Sequence, residues 1–462
     1  MDDWIDGIQI RGRPKHAALT AAILDAIESG KLGSGVQLPT QRDLAARLGM
    51  SVQTVSNCYQ ELQRRGVVSS VVGRGSFVTA RAAAAGSFLA APGTGDDIDL
   101  SVVQGIYTEA HETAARQLMQ ALSQEDNSTW MYPSRPVAGL VRHRDIAAGW
   151  LNARGICAST ENLIITNGAT QAIFLALAAV GRPGDTVLTE HLTENGIIGA
   201  ANVLGLKLRG LPTDHEGVLP DAFDAACSQF KVAALVWVPT FGNPIGHLAS
   251  LARREQIAAI AQRHGVAVIE DEVYRPLLSD SLPSISELVP ELGFTVTSMT
   301  KSVMTGLRVG YLVAPHLFCL RIAGILRAVS WNTAPLMAEI AYSWMFDGTA
   351  ARLIEVQRRE LRARNAILYE ELSAHLTTRH ELSPTAWLNV PASWTEDSLI
   401  GVLRERGVLV TGSRPFAVDP PSRQEGIRIG LAGAVTQAGL RAGLQTIAAT
   451  MEQLPTLSNV RV

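Results

Sequence analysis

A single lysine stands among small hydroxyl residues in the stretch 297–311, which has the residue types for covalent chemistry on a carbonyl compound. Lys301 has a threonine before it and a serine after it, and Arg308 follows seven positions later between two glycines. A reachable, partly desolvated amine is a nucleophile, so Lys301 is suited to form a Schiff base with an aldehyde cofactor. Ser298 and Arg308 are suited to bind a phosphate, the arginine through its planar fork of donors.

Polar residues follow four apolar runs along the chain, each at the place where a predicted strand ends. The first group is a glycine turn into a predicted helix, whose backbone N–H groups suit a phosphate. The later groups supply a side-chain amide, a carboxylate with a phenol, and the lysine. In chain order these residues are Gly168, Ala169 and Thr170, then Asn243, then Asp271 and Tyr274, then Lys301. Ligands of parallel sheets bind beyond the carboxyl ends of the strands, so we expect the four groups to meet in one pocket.

Together these residue types predict a pocket for pyridoxal 5′-phosphate. Lys301 is expected to form the internal aldimine, and Asp271 to pair with the pyridinium nitrogen, which keeps the ring an electron sink. Asn243 and Tyr274 are suited to hydrogen-bond the phenolate oxygen of the ring. Arg428, in a later Gly-Ile-Arg-Ile-Gly stretch, could hold a ligand carboxylate through two parallel hydrogen bonds. The groups expected at the cofactor phosphate are the backbone amides of Ala169 and Thr170 and the side chains of Ser298 and Arg308.

Short apolar runs alternate with helical patterns from residue 98 onward, and this pattern predicts the framework of the pocket. Such alternation is typical of a largely parallel sheet with helices on both faces, so the expected fold class is α/β. From about residue 335 the chain is rich in helical patterns and ends in short strands near 386–390 and 426–429, which predicts a smaller α/β lobe. The candidate strands of the large sheet are 163–166, 186–188, 206–208, 232–238, 266–270, 294–297 and 309–313.

The first eighty residues have a different pattern, with three short helices and a pair of strands. Apolar spacing predicts helices over 16–29, 41–48 and 52–65, the second of them capped by Thr40. The last two are joined by three residues, which is a helix-turn-helix spacing, and 67–78 is typical of a hairpin that would form a wing. Alanine, glycine and proline then dominate a linker. We therefore expect a winged helix-turn-helix domain at 1–79, a flexible linker at 80–97 and a pyridoxal-phosphate-binding effector domain at 98–462.

The second of the paired helices carries the residues that would contact DNA. Such a helix enters the major groove, and the side chains near its N-terminus reach the base edges. Arg42, on the preceding helix, is expected to contact guanine or phosphate. The other expected DNA contacts are Ser51, Gln53, Thr54 and Asn57 on the second helix, and Arg74 and Gly75 at the tip of the wing.

Composition excludes several other classes of protein. The 462 residues are 47% hydrophobic and 18% charged with a formal net charge of −3, which predicts a well-buried globular protein of two or three domains. The four cysteines lie far apart without a C-x-x-C pair, which argues against a zinc site or a disulfide framework and indicates a reducing compartment. The acidic N-terminus has no apolar signal segment, and no long apolar run is present. We expect a cytoplasmic protein without a metal site or a membrane partner.

The segment 15–78 resembles the GntR-type winged helix. This family often has arginine where this chain has Val52 or Ser56, so fewer cationic contacts predict weaker monomeric binding and more dependence on paired half-sites. The resemblance is carried by Leu38-Pro39-x-x-Arg42-x-Leu44-Ala45, by Ser51-x-x-Thr54-Val55 and by Gly73-Arg74-Gly75-Ser76-Phe77-Val78.

Residues 98–450 look like a fold-type-I aminotransferase, through the strand-end residues and the lysine stretch given above. A GntR-like winged helix joined to such a domain resembles the MocR family of bacterial transcription regulators. The resemblance implies a homodimer with cofactor sites near the subunit interface, and it implies that Tyr132 reaches the neighbour's cofactor phosphate. It also implies an aromatic residue on the cofactor ring, in a Glu-x-Pro-x-(aromatic) stretch. Here that stretch begins Glu190-His191-Leu192 and has no such aromatic residue. Either His191 or Asn195 is expected to pack on the ring in its place, or no side chain does.

Three functions fit these expectations. The first is a pyridoxal-phosphate-dependent transcription regulator that binds a double-stranded DNA operator and senses a small amine or amino acid. The second is an active aminotransferase with an accessory DNA-binding domain, against which the missing aromatic and the linked wing argue. The third makes vitamin B6 itself the signal, so that cofactor binding is the whole response.

Overall fold

The computed structural model describes residues 15–28, 32, 36–64, 67–71, 75–78, 97–124, 135–279, 282–418, 425–434 and 436–453. The chain divides into two compact units, Met1–Pro92 and Gly93–Val462. Apart from Asp97, the predicted linker lies outside the described residues, and so do Arg74 and Tyr132.

The described residues of the N-terminal unit form three helices and a small sheet. The helices are α1 (Lys15–Glu28), α2 (Gln41–Arg47) and α3 (Val52–Arg64), and the strands are β1 (Gln37–Leu38), β2 (Val68–Val71) and β3 (Gly75–Val78). The predicted hairpin has a third strand, because β1 pairs with β3 on the side away from β2. Helices α1 and α3 pack together around a core that includes Leu19, Ile23, Leu44, Val55, Tyr59 and Leu62.

The second unit is built on a seven-stranded sheet. Its order is β5 (Leu163–Thr166), β13 (Gly310–Val313), β12 (Gly293–Ser298), β11 (Ala267–Asp271), β10 (Val232–Trp237), β6 (Thr186–Glu190) and β7 (Lys207–Leu211). All neighbours are parallel except β13, which is antiparallel to both β5 and β12. Every candidate strand of the sequence analysis corresponds to one of these seven, and the mainly parallel α/β sheet is confirmed.

Alternate residues of these strands enter different clusters, because successive side chains point to opposite faces of a sheet. Ile164, Val236 and Ile269 belong to one core, whereas Ile165 belongs to a second and Val268 to a third. The helices of this part of the unit are α4 (Glu109–Ser123), α5 (Val141–Asn152), α6 (Ala169–Val180), α7 (Asn195–Val203), α8 (Pro220–Gln229), α9 (Leu251–His264), α10 (Ile285–Leu288), α11 (His316–Ser330) and α12 (Pro335–Phe346); a small hairpin, β8 (Thr213–Asp214) and β9 (Gly217–Val218), follows β7.

The C-terminal residues form the predicted smaller lobe. Strands β14 (Thr385–Asn389) and β16 (Thr411–Gly412) flank β17 (Gly426–Gly430), and helices α13 (Thr349–Leu372), α14 (Glu396–Glu405) and α15 (Gln437–Glu452) complete the lobe. A further pair joins β4 (Ile98–Asp99) to β15 (Val408–Leu409) in parallel. The first strand of the unit therefore belongs to the lobe that the last residues form.

Within the described residues, no helix is long and apolar enough to cross a membrane. The same part of the chain holds no group of three or more His, Cys, Asp or Glu side chains arranged to bind a metal ion.

Candidate functional site

The reversed direction of β13 brings its first residues to the edge where the parallel strands end. Gly310 pairs with Thr166, the last residue of β5, and with Ser298, the last residue of β12. Arg308, two residues before Gly310, therefore reaches the glycine turn that leads into α6. All four residues of β13 are buried. Such an apolar run looks the same whether the strand is parallel or antiparallel to its neighbours, so the sequence alone did not show that β13 is antiparallel.

That glycine turn and the guanidinium form a cradle for an anion. Gly168 has a φ of 88°, and a Cβ at this position would lie 2.9 Å from Nη2 of Arg308. Among the described residues, no side chain caps the N-terminus of α6. The first N–H groups of a helix have no partner within the helix, so an uncapped end beside a guanidinium is suited to a phosphate.

A cavity opens at this edge of the sheet, and most of the predicted cofactor residues line it. They are Ala169, Thr170, Asn243, Asp271, Tyr274, Lys301 and Arg308. Ser298 is not among the lining residues: its hydroxyl oxygen lies 2.7 Å from Oγ1 of Thr300, and Thr300 lines the cavity instead. The other lining residues, which the sequence analysis did not single out, are Ile173, Glu194, Val238 and Val273.

Lys301 is half-buried in this cavity. Burial lowers the pKa of its amine, and the cations of Arg428 and Arg308 lower it further, whereas Glu194 and Asp271 oppose the shift. Its Nζ donates a hydrogen bond to the backbone carbonyl of Val103. Because a lowered pKa increases the neutral fraction of the amine, the site favours nucleophilic attack by Lys301.

Asp271, the last residue of β11, presents a carboxyl group whose pKa is raised to about 8. Burial is the main cause and the negative charge of Glu194 adds to it, while a 3.2 Å hydrogen bond from the N–H of Val273 works in the opposite direction. A cation in the cavity would favour the charged form of this group. Asp271 is therefore suited to a cationic ring nitrogen.

The neighbours of Asp271 form a separate buried cluster. Nη1 of Arg254, on α9, lies 2.6 Å from a carboxylate oxygen of Glu270 and 2.6 Å from one of Glu272. Burial and the nearby Glu272 raise the pKa of Glu270 to about 7. Burial also opposes ionisation of Glu272, but Arg254 and Arg275 hold its pKa below the ordinary value. The cluster ties the end of β11 to α9 on both sides of Asp271.

Arg428, on β17, is the contribution of the smaller lobe. Its Nη1 donates to Oδ1 of Asn243 at 3.2 Å, and its Nη2 donates to the carbonyl of Ser101. Burial lowers the pKa of the guanidinium to about 10, and its Cζ lies 4.7 Å from the centre of the Phe416 ring. The side chain is thus held at the edge of the cavity, with Asn243 as its link to the lining residues.

The backbone of residues 101–106 contacts several of these elements. The carbonyl of Ser101 accepts hydrogen bonds from Arg428 and from Oγ1 of Thr411, and the carbonyl of Val103 accepts one from Lys301. Further along, the N–H of Gly105 donates to Oγ1 of Thr305 at 3.0 Å. We call these residues the 101–106 segment.

Glu194 is the charged pocket residue that sequence reasoning missed. It precedes α7, where its Oε2 accepts the N–H of Gly196 at 2.6 Å. Neither His191 nor Asn195 lines the cavity, so the structure does not support placing either of them on the cofactor ring. Nδ1 of His191 lies instead 3.2 Å from Oγ1 of Thr213. The spacing from Glu190 could have identified Glu194. It stands four residues after Glu190, which is the position of the aromatic residue in the Glu-x-Pro-x-(aromatic) pattern.

Of the predicted DNA-contact residues that the structure describes, all are exposed except Thr54, which is half-buried. Arg42, Gln53 and Asn57 are exposed, and Nε2 of Gln53 donates to Oδ1 of Asn57 at 2.9 Å. Ser51 precedes α3, and its hydroxyl accepts the N–H of Thr54 at 3.2 Å. The outer face of α3 therefore presents amide and hydroxyl groups.

Gly75 begins the last strand of the predicted wing. Its φ is 107°, and a Cβ there would lie 2.5 Å from Nε2 of Gln37 on β1. The positive φ favours glycine at this position, whereas the flexible end of the Gln37 side chain could move away from a Cβ.

The amino-acid sequence matches two described families. Residues 97–447 match the family described as aminotransferase class I and II. Residues 15–78 match the bacterial regulatory proteins of the gntR family.

Among similar proteins, the HTH-type transcriptional regulator YdeF of Bacillus subtilis is 24% identical over 98% of this chain and 97% of its own length. The 2-aminoadipate transaminase of Thermus thermophilus is 26% identical over 67% of this chain and 77% of its own. Among solved structures, an archaeal alanine:glyoxylate aminotransferase has a TM-score of 0.70 at 21% identity, covering 85% of this chain and 93% of its own. A likeness at that identity shows the fold.

Proposed function

Because the chain belongs to the class I and II aminotransferase family and begins with a GntR-type winged helix, as MocR-type regulators do, we propose that it is a pyridoxal-phosphate-dependent transcription regulator. It binds double-stranded DNA through α3 and the wing, acts as a homodimer, and senses a small amine or amino acid at Lys301. The observation that supports this most is the presence, in one chain, of a half-buried lysine of lowered pKa and an exposed helix face that carries amide groups.

The residues of the cavity fit pyridoxal phosphate. The close approach of the Arg308 guanidinium to Gly168 and the uncapped end of α6 suit the phosphate, and the buried Asp271 suits the ring nitrogen. Asn243 and Tyr274 are available to the ring oxygen, since both line the cavity. When bound, the cofactor supplies an aldehyde that condenses with primary amines and a ring that withdraws electrons.

The chain's own residues would then orient a ligand. Arg428 would bind a ligand carboxylate, in competition with the Ser101 carbonyl that its Nη2 now contacts. Lys301 would give up its hydrogen bond to Val103 when its amine is engaged in the cavity. Both changes act on the 101–106 segment, which is separated from the predicted linker by strand β4 and Leu100. A ligand shifts a regulator only by binding its two states with different affinity, and these exchanged contacts are one source of such a difference.

The test uses the full chain loaded with pyridoxal phosphate and DNA duplexes selected by it from a random pool. Fluorescence anisotropy would measure the dissociation constant for DNA with and without each member of a panel of amines and amino acids. We expect one or a few ligands to shift the constant in the wild type and in Lys207→Ala, whose lysine is exposed on β7. Lys301→Ala should bind the unliganded duplex equally well and lose the shift.

Other results would select another function. Failure to enrich any duplex would contradict the regulator. A shift produced by pyridoxal phosphate alone, with no further effect of any amine, would make vitamin B6 the signal. Formation of an oxo acid from an amino acid at many turnovers per chain, without an effect on DNA binding, would favour the active aminotransferase.

A further inference from the structure

We infer that the pocket selects a ligand with a second cationic group besides the amine that reacts, and that the Glu194 carboxylate recognises this group. The ligand class is a diamino carboxylate, with its carboxylate at Arg428. The inference rests on the proposed function, because it takes pyridoxal phosphate to be bound.

The geometry puts Glu194 within the ligand space rather than on the surface of the unit. It lines the same cavity as Lys301, Asp271 and Tyr274. Only one of its carboxylate oxygens is needed for the cap on α7, where Oε2 accepts the N–H of Gly196. Oε1 can therefore accept hydrogen bonds from a ligand while the helix end remains capped.

The charged side chains at the cavity other than Glu194 each have an expected partner on the cofactor or the ligand. Arg308 faces the phosphate cradle, Asp271 suits the ring nitrogen and Arg428 suits a ligand carboxylate. In the structure, Glu194 is the foremost group that favours the ammonium form of Lys301. A ligand amine that condenses with the cofactor would displace Lys301 and release its amine. Because burial lowers the pKa of that amine, it favours the neutral form, and the Glu194 carboxylate is then open to a second ammonium on the ligand.

A half-buried carboxylate loses solvation when a ligand fills the cavity beside it, unless the ligand returns a charged donor. A ligand ammonium does so, whereas a methyl group of the same size does not. A hydrogen bond to a charged group contributes about 1.5–3 kcal/mol, which corresponds to roughly ten- to a hundredfold in affinity. An aromatic residue at this position would provide no such discrimination between the two ligands.

The experiment compares ornithine with norleucine, which carries a methyl group in place of the side-chain ammonium. Binding to the full chain loaded with pyridoxal phosphate would be followed by the visible absorption of the bound cofactor and by DNA anisotropy. We expect the wild type to bind ornithine roughly ten to a hundred times more tightly than norleucine. The preference should fall to nearly one in Glu194→Gln, which retains an oxygen for the cap, and should persist in Glu194→Asp. It should also persist in Glu287→Gln, whose exposed carboxylate lies on α10.

Equal affinity for ornithine and norleucine in the wild type would overturn the inference, whether or not any variant folds. So would a preference that survives Glu194→Gln unchanged. In either case a spectral response to both amines would leave the proposed function standing. If no amine changes the absorption or the DNA binding of the loaded protein, the proposed function itself has failed, and this inference fails with it.

Discussion

Replacing Arg254 by methionine should destabilise the second unit strongly, because it removes the shared cation of two buried carboxylates. Glu270 and Glu272 have no exposed surface, and Nη1 of Arg254 lies 2.6 Å from an oxygen of each. Arg275 remains 3.3 Å from Glu272, so Glu270 is the carboxylate that loses its only ion-pair partner among the described residues. Removing one partner of a buried ion pair costs about 3–5 kcal/mol.

The loss should depend on pH. Glu270 already has a folded-state pKa of about 7, above the value of about 4.3 for an unfolded chain. A raised carboxyl pKa means that folding takes up a proton, so the associated stability is present below the unfolded value and is lost as the pH rises through the folded one. Without Arg254 this pKa rises further. The variant should therefore lose most stability near pH 8 and less near pH 5.

Urea unfolding followed by tryptophan fluorescence measures this loss. Of the eight tryptophans, only Trp4 lies in the first unit, and Trp237 has its ring centre 5.9 Å from the guanidinium of Arg254. Arg263→Met, at an exposed ion pair on the same helix, is the matched control and should cost less than about 1 kcal/mol. The triple variant Arg254→Met, Glu270→Gln and Glu272→Gln should recover much of the loss. A loss below about 1 kcal/mol at both pH values would refute the reasoning, since it would show that the carboxylates do not depend on Arg254.

Asp271→Asn should weaken pyridoxal phosphate binding roughly ten- to a hundredfold, because a neutral amide cannot form an ion pair with a cationic ring nitrogen. Equilibrium dialysis measures the dissociation constant of the cofactor, and an unchanged constant would contradict the role of Asp271 at the ring nitrogen. Gly310→Ala should lower the unfolding free energy by about 1–3 kcal/mol, because its Cβ would lie 2.5 Å from the carbonyl carbon of Gly168. Gly401→Ala, in open space, should not destabilise, and equal urea midpoints would contradict the packing argument. Arg42→Ala should weaken DNA binding and reduce the salt slope by about one, and an unchanged slope would exclude a phosphate contact.

The sequence predicted the sheet and much of the pocket because both depend on local patterns. Each parallel strand is a short apolar run ended by polar residues. The α/β arrangement brings those residues together at the edge of the sheet where the parallel strands end. Asn243, Asp271 and Lys301 could be placed together on that basis alone. The direction of β13 and the two-residue strand β4 have no such local pattern.

The other differences between the predicted site and the structure concern residues whose position or contacts no local sequence pattern indicates. The sequence predicts Ser298 at the phosphate, whereas Thr300 lines the cavity, because the sequence does not show which hydroxyl faces the cavity after β12 ends. Glu194 was missed because an aromatic residue was sought, and a charged residue before a helix usually serves as a cap. Arg254 was missed because it lies sixteen residues before Glu270 in the chain, and arginines on helices are usually exposed.

The contacts of the 101–106 segment with Arg428 and Lys301 are made by its backbone. Ser101 and Val103 hold Arg428 and Lys301 through backbone carbonyls, which any amino acid would supply equally well. A ligand that draws Arg428 and Lys301 away from these carbonyls would therefore displace a stretch of main chain. Substitutions at 101 or 103 would not prevent this change of contacts. Ser101 is four residues beyond Asp97, a distance of at most about 14 Å along an extended chain. Within that distance lies β4, whose pairing with β15 anchors the chain to the smaller lobe. A change at the cavity would therefore reach the predicted linker along the chain through this strand pair.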